Sequence, residues 1–251
     1  MYFSYYLPDR SGTQLNSILA NYFYCYQNNL VYGGPIPNKK RRNYWLYLRN
    51  IRNTQELITF LNLPRPDVIP EQPQITKGLP ISNLTPEFRD LLYNKMKKNL
   101  SIIKTDSEFI VSIHIRRGDI GPSGKWSFRY TFDDYFFSLI EEIYKYKPDA
   151  KIYVFSEISF TEQSNYLRYK QLNCIFKLGT SMTEAFNYMI QSNIFIMSAS
   201  SFSLIPALYR RQGMTISVPS KYWTDFEDWI SGSINDKKNA VKEFISNYNH
   251  K

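Results

Sequence analysis

Residues 111–119 read Val-Ser-Ile-His-Ile-Arg-Arg-Gly-Asp, and the fold follows from how this stretch is read. Ser112, His114 and Arg116 stand at alternate positions, so they share one face of a strand, while Ile113 and Ile115 take the other. Arg117, Gly118 and Asp119 then form the turn at the strand's C-terminal edge. In open α/β sheets that edge is where ligands bind. Two adjacent arginines beside the one internal histidine point to a phosphate or diphosphate, because a guanidinium stays charged and engages two oxygens at once. The same spacing also fits plain surface arginines and a satisfied core histidine. Arg117-Gly118-Asp119 matches the adhesion tripeptide, which needs an exposed loop. Residues 118–126 fail as a nucleotide P-loop: the first glycine is one residue too early, and Trp126 stands where a Ser or Thr must hold Mg²⁺.

The chain around this stretch has 251 residues, enough for one large domain or two lobes of about 100–150 residues each. A hydrophobic share of 43% with 17% aromatics marks a folded protein with a sizeable core. The many tyrosines suit sugar or base stacking as well as core packing. No apolar run is long enough to span a membrane. Residues 1–10, MYFSYYLPDR, lack the basic and apolar regions of a signal peptide, and Tyr2, Phe3, Tyr5, Tyr6 and Leu7 read instead as a buried first strand. Cys25 and Cys174 lie far apart, and Cys25 sits in a helical pattern as a core residue. A reduced, cytoplasmic setting is expected. A net charge of +9 fits anionic partners without choosing among them.

Residues 1–7 are expected to be a strand, 8–12 a tight loop and 13–27 a helix, with Leu15, Ile18, Leu19, Tyr22, Phe23 and Tyr26 on one stripe. A short strand at 30–32 is closed by Gly33-Gly34-Pro35. The basic run Lys39-Lys40-Arg41-Arg42 reads as a solvated loop. A helix is expected over 54–63, capped by Thr54. Residues 63–86 hold six of the thirteen prolines and read as a stiff connection between lobes. Thr85-Pro86-Glu87 starts a helix to about residue 98. Beyond it, strands at 109–115, 152–156, 194–197 and 215–218 alternate with helices at about 133–146, 162–171, 181–191, 203–211 and 236–248. That alternation predicts a mainly parallel sheet with helices on both faces.

Two further constellations stand at strand ends. Ser156-Glu157 offers a carboxylate to a ribose or a base, or a helix-entry cap. Ser198-Ala199-Ser200-Ser201-Phe202-Ser203 follows an apolar strand and precedes an apolar helix. Small hydroxyl residues there let free N–H groups approach a phosphate at a helix N-terminus, and a plain serine cap looks the same.

Together these residues resemble the fucosyltransferases that use GDP-fucose, the α1,2-, α1,6- and protein O-fucosyltransferase group. HIRRGD at 114–119 is similar to their HxRxGD motif and SASSFS at 198–203 to their late serine motif. SGTQLNSILANYFYCYQNNLVYG at 11–33 is similar to their opening loop and helix. The resemblance implies two Rossmann-like α/β lobes facing a cleft, the GT-B arrangement. It divides the chain into an acceptor-side lobe over 1–100, a donor lobe over 101–235 and a C-terminal helix over 236–251. It implies a glycosyltransferase that inverts the anomeric centre without a metal. Arg116 then holds the donor diphosphate, with Arg117 and Gly118 beside it. His114 contacts the nucleotide, and Ser200 and Ser201, flanked by Phe202 and Ser203, meet phosphate or ribose. Two positions depart from the group. Glu157-Ile158 replaces an Asp-Asp of many relatives, and Ala185 replaces an Asp, with Glu184 one residue off. Glu184 also completes a capping box with Ser181. Both departures fall where relatives recognise the base, so GDP-fucose is the first expectation for the donor and a UDP-sugar such as UDP-xylose the alternative.

The residues agree about the metal: no Asp-x-Asp occurs, so arginines and helix-end donors must stabilise the leaving diphosphate. Inversion needs a general base. Some relatives place it in the first loop of the N-terminal lobe, which implies Asp9, with Arg10 and Gln14 beside it. Asp119 is the alternative base or a brace for the arginines. The loop 120–129 is placed to cover the site, with Trp126 stacking on a sugar or buried. The expected partners are a nucleotide-sugar donor and a glycan or glycoprotein acceptor, without nucleic acid. A non-catalytic carbohydrate-binding module and a nucleic-acid-binding protein are the other classes the composition allows.

Overall fold

The computed structural model describes residues 1–7, 9–38, 44–76, 78–103, 108–157, 159, 165–220 and 223–248, and only the backbone of 44–49. The basic run at 39–42, Pro8, Ile158 and residues 162–164 of an expected helix lie outside these. The chain forms two compact units, Met1–Ser101 and Ile102–Lys251. Among the described residues no helix is long and apolar enough to cross a membrane.

The first unit is a parallel three-stranded sheet with β1 (Tyr2–Tyr5) between β2 (Tyr32–Ile36) and β3 (Gln74–Ile75). Helix α1 (Ser11–Gln27) buries Leu15, Ile18, Leu19 and Phe23, the stripe that the 3.6-residue period marks. It begins two residues before the expected start. Gly33-Gly34-Pro35 does not close a strand; it lies inside β2. The register slips there, with Tyr2 opposite Tyr32 and Phe3 opposite Gly34, so Gly33 is an extra residue in the strand. A Cβ on Gly33 would stand 2.6 Å from the Phe3 ring, and Gly34, at φ +100°, lies against the backbone of Pro64 and Arg65. The glycines serve close backbone approach rather than a turn.

Helix α2 (Tyr44–Phe60) starts ten residues before the expected one. Thr54 is not its cap. It is buried mid-helix, its hydroxyl donates to the carbonyl of Asn50, and Ser11 Oγ lies 3.1 Å from it. The proline-rich stretch 63–86 is not a connection between units. It supplies β3, its Thr76 N–H donates to Phe3, its Leu79 N–H donates to Ala20, and Leu63, Ile81 and Leu84 are buried. Proline stiffens the chain into extended form, which suits a strand-edge segment as well as a spacer. Helix α3 (Pro86–Met96) starts as read, with Thr85 Oγ1 accepting the Phe88 N–H at 3.3 Å.

The second unit alternates strand and helix up to β8, which is followed directly by the short β9. Its elements are β4 (Ile110–His114), α4 (Asp133–Tyr146), β5 (Lys151–Ser156), α5 (Tyr166–Gln171) and β6 (Ile175–Leu178). Then follow α6 (Met182–Gln191), β7 (Ile194–Ile196), α7 (Ser201–Tyr209), β8 (Met214–Ile216), β9 (Trp229–Ile230) and α8 (Ile234–Tyr248). All six strands are parallel, in the order β6-β5-β4-β7-β8-β9. Renumbered within the unit this is 3-2-1-4-5-6, the doubly wound Rossmann order. The chain winds outward from β4 to β6, crosses back, and winds the other way from β7. The strand order therefore reverses between β4 and β7, and the crevice outside their C-terminal ends is the topological switch point.

The core is the apolar inner face of this sheet, Val111, Ile113, Ile152, Val154, Ile194 and Ile196, covered by Phe136, Leu139 and Ile140 of α4 and by Val241 and Ile245 of α8. Arg210, just past α7, is buried, with the Asp228 charge acting on it. Its guanidinium donates to the carbonyls of Met189, Ile190, Ser192, Gln212 and Met214, and burial pushes its pKa down to about 9. It closes the C-terminal end of α6, at the sheet edge opposite the switch point, by satisfying orphan carbonyls. Strands β6 and β9 escape sequence reading: the first is a part-exposed edge strand containing Lys177, the second only two residues long.

Candidate functional site

His114 is the last residue of β4, and the loop between β7 and α7 lies beside it because the two strands are neighbours. Its Nδ1 lies 2.5 Å from Ser203 Oγ and 3.1 Å from Ser198 Oγ. Ser198 and Ser203 are fully buried and the ring nearly so, with Phe202 tilted against it at 5.1 Å. Burial, followed by the nearby Arg116 and Arg117 charges, lowers the imidazole pKa to about 3, so the ring is neutral at physiological pH. The sign of the stability effect follows. Between about pH 6.5 and 3 an unfolded chain binds a proton at this histidine and the folded chain does not. Stability is then full above pH 6.5 and falls as pH drops, by about 1.4 kcal/mol per pH unit. A falling unfolding midpoint between pH 7 and 5 is expected, and His114→Gln should flatten it; an unchanged slope in that variant would remove the histidine as its source.

Arg116 follows at the strand end, its side chain only 11% exposed. Its guanidinium donates to Glu157 Oε1 at 2.5 Å and to the carbonyl of Arg117 at 3.1 Å, and pairs with Asp119. Asp119 thus stands in the bracing geometry. Gly118, at φ +80°, lies against the Glu157 carboxyl carbon, 2.6 Å from where a Cβ would stand. Only glycine lets that carboxylate reach Arg116 across the turn.

Arg117 does not join it. The side chain is 1% exposed and turns into the unit, donating to Asp133 Oδ1 at 2.8 Å and to the carbonyls of Thr131 and Arg116. Its guanidinium lies 4.1 Å from the Tyr130 ring centre. Asp133, at the start of α4, also accepts from Tyr169 and Asn165. The motif's two arginines therefore divide: Arg116 faces the strand-end crevice, and Arg117 ties the motif loop to α4. A buried Arg117 also removes the adhesion-tripeptide reading.

At the start of α7, Ser200 Oγ accepts the Phe202 N–H at 3.2 Å, a side-chain cap. Among the described residues the Ser201 N–H and hydroxyl meet no partner. They are the open donors of this helix end, where the helix dipole favours an anion. Ser203 points away from that opening, under His114. Asp133 was missed by sequence reading, and Ser198, read there as part of the serine run, was not foreseen under His114. Ser198 looks like the tail of a strand, and Asp133 like an ordinary first-turn helix acid.

The remaining candidates have contacts of their own. Ser156 Oγ donates to the carbonyl of Ile115 at 2.8 Å and stitches β5 to β4. The Glu184 N–H donates to Ser181 Oγ, as the capping box requires. Its carboxylate takes Thr180 and Lys177, which hold its pKa below the usual range. Asp9 lies in the first unit just past β1, where its carboxylate accepts the Arg10 N–H at 2.7 Å. Trp126 is not buried; it is 42% exposed. Cys25 and Cys174 are buried free thiols with pKa values raised by burial. Among the described residues no three His, Cys, Asp or Glu side chains converge as metal ligands would.

The chain matches the family model of glycosyl transferase family 11 over residues 83–242, which covers the whole described cluster of the second unit. No curated protein matches. Among solved structures, the crystal structure of POFUT1 in complex with GDP-fucose is similar at 10% identity and a TM-score of 0.32, over 76% of this chain. This chain spans 65% of the length of that one.

Proposed function

The chain belongs to glycosyl transferase family 11, and from that membership we propose that it moves a sugar from a nucleotide-diphosphate donor to a hydroxyl of a glycan, with inversion. The observation that carries this reading is that Arg116 and the neutral His114 ring at the end of β4, and the open Ser201 N–H after β7, stand at the C-terminal ends of two neighbouring strands. These are one cation and two neutral donors, a set that suits a leaving diphosphate. Arg116 supplies the charge, taking a phosphate in place of Asp119, its more exposed partner. Fixed donors aimed at oxygens where charge develops lower the barrier most in a water-poor site. With that charge supplied by the protein, the transfer is proposed to need no metal. An acceptor hydroxyl attacks the anomeric carbon in line with the leaving phosphate, and Asp9 is the proposed base that takes its proton.

GDP-fucose is the first donor to try. Glu157 and Glu184 both have their carboxylates engaged by basic side chains, so neither is held free for guanine. That observation keeps a UDP-sugar such as UDP-xylose as the second reading. A thermal-shift panel with GDP, UDP, GDP-fucose and UDP-xylose in EDTA separates them. A ligand at about a hundred times its dissociation constant is expected to raise Tm by about 5–10 °C. A UDP-selective shift keeps the site and changes the sugar, while no shift with any of the four would sink the donor reading.

The acceptor side is proposed to include the loop that follows the motif. Trp126, Phe128, Tyr130 and Phe132 alternate along it, and Trp126, Phe128 and Phe132 are exposed. Tyr130 anchors this aromatic surface on Arg117, and the Trp126 and Phe128 rings sit 5.9 Å apart. Exposed rings of this kind suit the apolar face of a sugar. Trp126→Ala is expected to raise the acceptor KM about 5–10-fold with the donor KM unchanged; an equal rise in both would move Trp126 to the donor.

A further inference from the structure

Under the motif, His114, Ser198 and Ser203 form a closed cluster whose protons can be counted. His114 Nδ1 is 2.5 Å from Ser203 Oγ and 3.1 Å from Ser198 Oγ, and the two hydroxyls are 3.3 Å apart. Ser203 Oγ also accepts the Ser198 N–H at 3.2 Å. Both serines are fully buried, and among the described residues no other group reaches either hydroxyl. Each hydroxyl has one proton to give and two lone pairs to receive with.

Suppose Nδ1 carries the ring proton. It donates to one serine, the contact between the serines uses one hydroxyl proton, and the other hydroxyl proton has no acceptor. This holds whichever serine the ring chooses. Suppose instead that Nδ1 is bare. Ser203 donates to Nδ1 and Ser198 donates to Ser203, whose second lone pair takes the Ser198 N–H. Both hydroxyl protons then have an acceptor, and the proton left over is the ring's, on Nε2, which unlike the two serine hydroxyls is open to solvent or a ligand. A buried polar hydrogen left unmatched is the costly outcome, so the second arrangement prevails. The ring proton then sits on Nε2, the edge turned away from the serines, which no protein group meets among the described residues.

We infer that Ser203, with Ser198 behind it, is a positioning residue that holds His114 in the Nε2–H tautomer, so that the imidazole only donates and its complement is an oxyanion of the donor diphosphate. The tautomer stands on the cluster geometry alone; its partner rests on the donor reading above. Burial and the two neighbouring arginines keep the ring uncharged, in agreement with this role. One consequence is immediate: a ring whose outer nitrogen carries a proton and whose inner nitrogen is occupied does not act as the general base.

The chain has two histidines, His114 and His250, so ¹⁵N-histidine labelling of a His250→Gln protein leaves one imidazole to observe by NMR. A protonated Nε2 and a bare Nδ1 are expected, unchanged from pH 8 to 5. Adding whichever of GDP or UDP binds should move the Nε2 signal. Ser198→Ala combined with Ser203→Ala is expected to release the ring into tautomer exchange and weaken nucleotide binding about 10-fold, while Ser203→Ala alone keeps the tautomer through Ser198. A proton on Nδ1 in the parent protein overturns the inference, and that measurement needs no variant of the cluster to fold. The double variant keeping both the tautomer and full binding overturns the role of the serines. A nucleotide that binds without moving Nε2 overturns the oxyanion partner. No nucleotide binding at all overturns the donor reading instead, and the tautomer signal distinguishes that case from failure of the cluster.

Discussion

Arg116→Ala should lower kcat/KM by at least about 10²–10³-fold and abolish the nucleotide thermal shift, with Tm of the free protein within about 2 °C of the parent. The asymmetry follows from where the side chain spends its donors. Its carboxylate partners, Asp119 and Glu157, are both well exposed. Deleting the arginine leaves two solvated carboxylates, which costs little stability, because partly exposed ion pairs are worth a fraction of a kcal/mol to about one. The same deletion takes from the proposed phosphate site the cation that the leaving diphosphate is proposed to meet. The measurement is steady-state transfer alongside the thermal-shift panel. Activity within a few-fold of the parent would remove Arg116 from the donor site. The variant also separates the function classes: a carbohydrate-binding module would keep its glycan binding, and a nucleic-acid binder would show no preference for nucleotide diphosphates.

Arg117→Ala is expected to behave in the opposite way, losing about 3–5 kcal/mol of stability. The guanidinium is buried, and removing it leaves the buried Asp133 carboxylate with neutral donors such as Tyr169 and Asn165 and no cation at 2.8 Å. Most of the loss is therefore the burial of an unmatched charge rather than the worth of the pair itself. Two tests follow from that distinction. Urea denaturation of Arg117→Ala should show the drop in midpoint. Pairing Arg117→Met with Asp133→Asn should recover part of it, because the double variant buries no charge. A double variant no more stable than Arg117→Ala would show that the arginine acts through packing on Tyr130 and not through Asp133. Adjacent arginines of one motif thus have separable readouts, binding for the first and folding for the second.

Much of the second unit was legible locally. A strand at 110–114, its loop of special residues, and the helices at 133–146 and 182–191 follow from period and caps, which need only neighbours in sequence. The site was legible to the same extent: a histidine and an arginine at one strand end and a serine run at another. Arg117 was not. Two arginines side by side look alike in sequence, and only Asp133, sixteen residues on, decides that the second turns inward. Gly33-Gly34 misled for a related reason. A glycine that admits a turn and one that admits another backbone have the same local signature, and Pro64 is far away in sequence. The missed first turns of α2 lie beside a basic run that reads as loop.

By itself, then, the sequence determined the alternation of strand and helix, the strand that carries His114 and Arg116, and the serine-capped start of α7. Those depend on backbone geometry and side-chain period over a few residues. Only the tertiary structure decided that β4 and β7 are neighbours, which brings the two strand ends to one switch point. It also decided which arginine stays at the strand-end crevice and which turns inward, and which serine hydroxyls lie under the histidine. Strand order and burial are set by packing between distant segments, where partners such as Asp133 for Arg117 and Ser203 for His114 are chosen by space rather than by sequence separation.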